Sequence, residues 1–77
     1  MKHFRYSIVE DEIAQLKGEI DEVPEGFIEY HNDFSPEKIY YKIDNKKVTE
    51  VIGEGYDEEA AKRRVEDFLS ALNVNLF

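Results

Sequence analysis

The sequence predicts an α+β fold: a small antiparallel sheet of about four strands with one C-terminal helix packed on it. Three observations carry that expectation. Residues 3–9 alternate Phe4, Tyr6 and Ile8 with polar neighbours; residues 39–53 form two apolar runs around a short polar turn; and Ala61, Val65, Phe68, Leu69 and Leu72 recur at helical spacing. With 77 residues, the chain has enough apolar side chains for one core and reads as a single domain, residues 1–77.

The first strand, His3 to Val9, follows from its period of two. For residues 11–21, Ile13, Leu16, Lys17 and Ile20 fit a helix capped by Asp11, against which Gly18 counts by about 1 kcal/mol. The alternative over the same residues is a strand that ends in the Val23-Pro24-Glu25-Gly26 turn and forms a hairpin with a short strand at Phe27 to His31. The helix is the expectation adopted, for the order β-α-β-β-β-α.

A hairpin follows, Ile39 to Asp44 and Lys47 to Gly53, turned at Asn45 and Lys46. If Ile43 faces Val48 and Ile39 faces Ile52, then Ile39, Tyr41, Ile43, Val48 and Ile52 meet the helix. Tyr40 beside Val51 is then turned away, as a second packing layer or a contact patch. The final helix begins at Glu58, capped by Asp57, with Tyr56 placed to staple against Ala61 and with Asn73 as its stop. Its outer side pairs charges four apart, Glu59 with Arg63 among them.

Charge placement says more than composition. The formal net charge is −8, and residues 10–37 carry nearly all of it: ten acidic residues against Lys17 alone. Such a field repels phosphate backbones and anionic membranes and attracts basic proteins, so the expected partner is a basic protein, with no direct nucleic-acid or membrane binding. The plainer account is that acidity keeps a small protein in solution. No run approaches a membrane span or a secretory signal, and cysteine is absent, which together predict a cytoplasmic protein. So small a core, with the apolar residues Val74, Leu76 and Phe77 at its end, also suggests a homodimer.

No constellation of catalytic type survives inspection, and an enzyme is not expected. His31, Asp33 and Ser35 have the residue types of a hydrolytic triad, but spacing by two beside Pro36 reads as a turn. His3, His31 and the run Glu10-Asp11-Glu12 lack the ligand spacing of a metal site, so neither metal nor other cofactor is expected. Gly53-Glu54-Gly55 stands where phosphate loops occur, yet Asp57, Glu58 and Glu59 follow and would repel a phosphate; a tight turn before a capped helix is the reading.

Two resemblances bear on function. The stretch from Ile39 to Leu72, a hairpin, a glycine-containing junction and a final helix, resembles the back half of a double-stranded RNA-binding domain. That family grips phosphates with lysines at the start of the helix, where this chain has Asp57, Glu58 and Glu59. By composition alone, the chain is similar to small acidic phage-encoded inhibitors that imitate DNA and occupy the basic groove of a host protein. That likeness implies an inhibitor whose partner is a nucleoid-associated protein of the HU type, a nuclease or a polymerase. The residues expected to carry it are Glu10, Asp11, Glu12, Glu19, Asp21, Glu22, Glu25 and Glu29, with Phe27 and Tyr30 as apolar anchors. The alternative is a structural, self-assembling domain whose acidity is only solubilising.

Overall fold

The computed structural model describes residues 2–30 and 38–75, with the side chains of residues 73–75 left aside. The chain runs β1 (Lys2–Val9), β2 (Glu12–Ile20), β3 (Ile28–Tyr30), β4 (Ile39–Asp44), β5 (Lys47–Gly55) and α1 (Glu58–Asn75). All five strands join one antiparallel sheet in the order β2-β1-β5-β4-β3, and α1 lies across one face. The α+β class and the C-terminal helix are therefore as expected, with five strands instead of about four.

The fifth strand is the stretch expected to be helical. Residues 12–20 pair with β1, joined to it by a two-residue turn in which Glu10 (φ 53°) and Asp11 (φ 64°) are both left-handed. Gly18 explains the outcome. Its φ of 128° is open to glycine and strained for other residues, and it sits where the β1–β2 register shifts between Arg5 and Tyr6. A second shift falls between Ser7 and Ile8. These irregularities distort the period of two in β2, so Ile13, Leu16 and Ile20 mimic helical spacing along an extended chain. The strand's partner is also β1 and not β3, which lies at the far edge.

The β4–β5 hairpin turns at Asn45 and Lys46 as expected, again with positive φ (56° and 66°), and Ile43 faces Val48. A register shift between Lys42 and Ile43 then moves the rest of the ladder by one residue, so Ile39 faces Gly53 and Tyr40 faces Ile52. One residue of slip exchanges the faces of a strand. Val51 therefore lies toward the helix and Ile52 away from it, the reverse of the sequence expectation, and the outward pair is Tyr40 with Ile52.

The main core comprises Phe4, Tyr6, Ile8, Ile39 and Val51 from the sheet with Ala61, Val65, Phe68 and Leu69 from α1. Tyr30 and Tyr41 pack their rings on Phe68 at 5.0 and 5.4 Å. Gly53 and Gly55 belong to β5 and form no turn. A Cβ on Gly53 would stand 2.7 Å from Val65 Cγ2 and 2.8 Å from the Ala61 carbonyl oxygen, and one on Gly55 would stand 2.8 Å from the Ala61 nitrogen. The glycine pair lets α1 rest directly on the strand. Asp57 does cap the helix, its Oδ1 accepting from the Ala60 N–H at 2.9 Å, and Arg63 pairs with Glu59 at 2.9 Å. Tyr56, at 76 % exposure, makes no staple, and the helix continues past Asn73 to Asn75.

The other face of the sheet has a small layer of its own. Ile52 is fully buried there although it stands outside the main core. Beside it Arg5 donates to both carboxylate oxygens of Glu50, from Nε at 2.8 Å and from Nη2 at 3.0 Å, and the Phe27 ring stacks 5.6 Å from the guanidinium. Residues 21–27 must cross this face to link the two edge strands, and the crossing brings Phe27 over it. His3 pairs with Glu54 at 3.2 Å nearby. The triad-like residues His31, Asp33 and Ser35, and the tail residues Leu76 and Phe77, lie outside the described residues.

Candidate functional site

Six of the ten candidate residues lie on or beside the edge strand β2, and the other four lie on or just before β3 at the far edge. Glu10, Asp11 and Glu12 form the tip of the β1–β2 hairpin, while Glu19, Asp21 and Glu22 sit at the other end of β2, roughly 20 Å away, the length of the paired segment from His3 to Val9. All six are exposed. Glu25 follows in the turn before β3, and Glu29 lies on β3, four strand spacings or roughly 19 Å from β2. Glu29 is moreover paired with Lys38 at 3.3 Å, and Glu19 approaches Lys2 at 3.9 Å. Phe27 and Tyr30 are half-buried and engaged inside the molecule, one against Arg5 and the other against Phe68. They do not stand out as anchors.

What the fold does assemble is a groove along the acidic edge. The helix lies mainly over β5, so β2 projects beyond it and leaves an open cleft of about 600 Å³ between β2 and α1. One wall is Asp11 to Leu16 of the hairpin; the other is Glu58, Lys62, Glu66, Leu69 and Ser70 of α1; and Tyr6 contributes to the floor. Ile13 and Leu16 are only half-buried there, while Leu69 is almost fully buried. Asp11, Glu12, Glu58 and Glu66 therefore surround an apolar strip, with Lys62 the lone cation among the lining residues.

The Tyr6 hydroxyl registers this environment. It donates to the Glu58 carbonyl oxygen at 3.2 Å, and its pKa is pushed up to about 12 by burial first and then by the negative charges of Glu58 and Glu66. On the opposite face the balance is reversed: the Arg5 hydrogen bonds hold the Glu50 carboxyl below its ordinary value, overcoming the opposing effect of burial, with the charges of Arg5, Lys42 and Lys17 adding to them. That pair is internal structure, fully engaged within the fold.

Glu58, Lys62 and Glu66 were legible as a series four apart, hence as one side of a helix. That this side faces β2 could not be read, because it depends on the order of strands in the sheet. Among the described residues, no group of three or more His, Asp or Glu side chains is placed to hold a metal ion, and no helix is long and apolar enough to cross a membrane. Comparison with protein-family models, with curated proteins and with solved structures finds no match.

Proposed function

We propose that this protein is a non-enzymatic binding protein that presents an acidic surface to a basic protein partner and acts as an inhibitor by occupying that partner's nucleic-acid-binding surface. The observation that supports the reading is the concentration of carboxylates along one side: Glu10, Asp11, Glu12, Glu19, Asp21 and Glu22 on and beside β2, joined by Glu58 and Glu66 across the groove. Against them stand Lys17 and Lys62, and Lys2 opposite Glu19. Carboxylates held on a rigid hairpin and helix can satisfy the Lys and Arg side chains that a partner otherwise offers to phosphates. Glu25 and Glu29 belong to other parts of the surface, and the half-buried Phe27 and Tyr30 pack against Arg5 and Phe68, away from this side. A nucleoid-associated protein of the HU type, a nuclease or a polymerase would present a suitable basic surface.

The rival reading is a self-assembling domain that joins through a hairpin edge or the Leu76-Phe77 tail; at the β2 edge the two register shifts count against it, since irregular edges resist added strands. The test is an affinity pull-down at roughly 50 mM salt, repeated at roughly 200 mM and in the presence of competing DNA. Prey retained at low salt, released at high salt and displaced by DNA supports the reading. Prey that survives both treatments, or that still binds a Glu19→Lys/Asp21→Lys/Glu22→Lys variant unchanged, ends it.

A further inference from the structure

We propose that the groove between β2 and α1 is the docking site for a short, basic, amphipathic helix of the partner protein. Its apolar side would seat on the half-buried Ile13 and Leu16, and its Lys and Arg side chains would face Asp11, Glu12, Glu58 and Glu66. This rests on the reading above and narrows it from an acidic flank to one concave site with a stated occupant.

Four features of the groove select that occupant. Its volume, about 600 Å³, falls within the range of clefts that hold ligands, and its base carries apolar side chains that the fold covers only in part. Its rim bears four carboxylates against one lysine, so an apolar segment without positive charge would leave the acids with no partner, and an acidic one would be repelled. An extended peptide is the wrong shape. It would have to continue the sheet from β2, whose ladder is interrupted twice and whose Gly18 has a left-handed backbone. A helix asks nothing of the β2 backbone and docks through side chains alone. The α1 wall from Glu58 to Ser70 is roughly 18 Å long, the length of a helix of about twelve residues.

The field inside the groove agrees with a cationic guest. Tyr6, on the floor, holds its proton more tightly first because it is buried and then because Glu58 and Glu66 are near, and a positive side chain in the groove would face the same two carboxylates. Lys62 lies between them in sequence, four residues from each, and one lysine leaves the rim with a net negative charge.

The experiment measures fluorescence anisotropy with a labelled helical peptide of about twelve residues built from Lys, Leu and Ala, its leucines recurring at i, i+3, i+4 and i+7. A scrambled peptide of the same composition, with leucines on all sides, is the control. The ordered peptide should bind at least about tenfold more tightly than the scrambled one. Glu66→Lys on the rim should weaken it about tenfold, whereas Asp44→Lys at the other hairpin tip, an identical change in net charge, should weaken it about twofold or less. Ala14→Trp fills the groove without altering charge, and should weaken binding with the circular dichroism of the fold retained. Equal binding of the two peptides, or equal effects of the two charge reversals, overturns the groove proposal and leaves a diffuse acidic surface. So does failure of the ordered peptide to bind while the pull-down still retains prey that DNA displaces. If neither peptide nor prey binds, the parent reading falls with it.

Discussion

The molecule contains two hairpins built on the same local plan, and they have different fates. β1–β2 and β4–β5 each turn through two residues with positive φ, near 53° and 64° in one and 56° and 66° in the other, and each contains a register shift. Because β1 and β5 are antiparallel neighbours, both tips lie at the same end of the sheet. One tip is Glu10-Asp11-Glu12; the other carries Lys46 and Lys47 beside Asp44. The first hairpin ends the sheet and keeps an uncovered, irregular strand next to a groove. The second is covered by β3 and carries the glycines on which the helix rests. Shared turn chemistry has thus produced a structural hairpin and an acidic, half-finished one.

The largest expected effect sharpens that contrast. Gly53→Ala forces a Cβ against Val65 and the Ala61 backbone and should cost about 1–3 kcal/mol by overpacking. Gly18→Ala has open space around it and should cost about 1 kcal/mol, from the backbone alone. Urea unfolding midpoints of the two variants check the order, and a costlier Gly18 substitution would place the more sensitive hairpin at the edge.

Next comes the ion pair that bridges the two hairpins through β1 and β5. Glu50→Gln should destabilise by about 1 kcal/mol at neutral pH, because a charged hydrogen bond becomes a neutral one. Glu50 has a depressed pKa in the folded state, so its contribution is present above the ordinary carboxylate range and is lost as pH falls through the depressed value. The gap between wild type and variant should therefore close in acid, measured by urea melts at about pH 6 and about pH 3.

The smallest effect addresses the turns themselves. Replacing Glu10-Asp11 by Asn-Gly should stabilise by about 0.4–1 kcal/mol, since both positions already demand positive φ. Lys46→Gly, next to an Asn already in place, should give less. Thermal melts decide between them. Equal gains would mean that the two turns are strained alike despite their different residues.

The same pair of turns explains what could be read beforehand. Asn tolerates the left-handed region, so Asn45-Lys46 between two apolar runs announces a hairpin; Asp11 shares that tolerance, but Glu10 does not, and the acidic run Glu10-Asp11-Glu12 also fits the start of a helix. With Gly18 at a register shift, the apolar residues of β2 fall into helical spacing, and an edge strand carries the sequence pattern of a helix. The face assignment of Val51 and Ile52 failed for a related reason, since the register shift near Lys42 has no sequence mark. Of the candidate residues, the acidic tip and the acids after β2 are visible in the sequence as charge. That Phe27 packs by Arg5 on one face of the sheet and Tyr30 by Phe68 on the other is not legible in the sequence, because it depends on the crossing of residues 21–27 and on the strand order.

Local chemistry by itself determined the C-terminal helix with its Asp57 cap and buried stripe, the Asn45 hairpin, the α+β class and the excess of negative charge. These depend on residues a few positions apart, whose spacing the chain states directly. Only the tertiary structure decided the order of strands, the crossing of residues 21–27, which side of α1 faces β2 and hence the groove. Those features follow from pairings between residues dozens of positions apart and from single-residue shifts that invert a strand's faces, and neither is written in any local pattern.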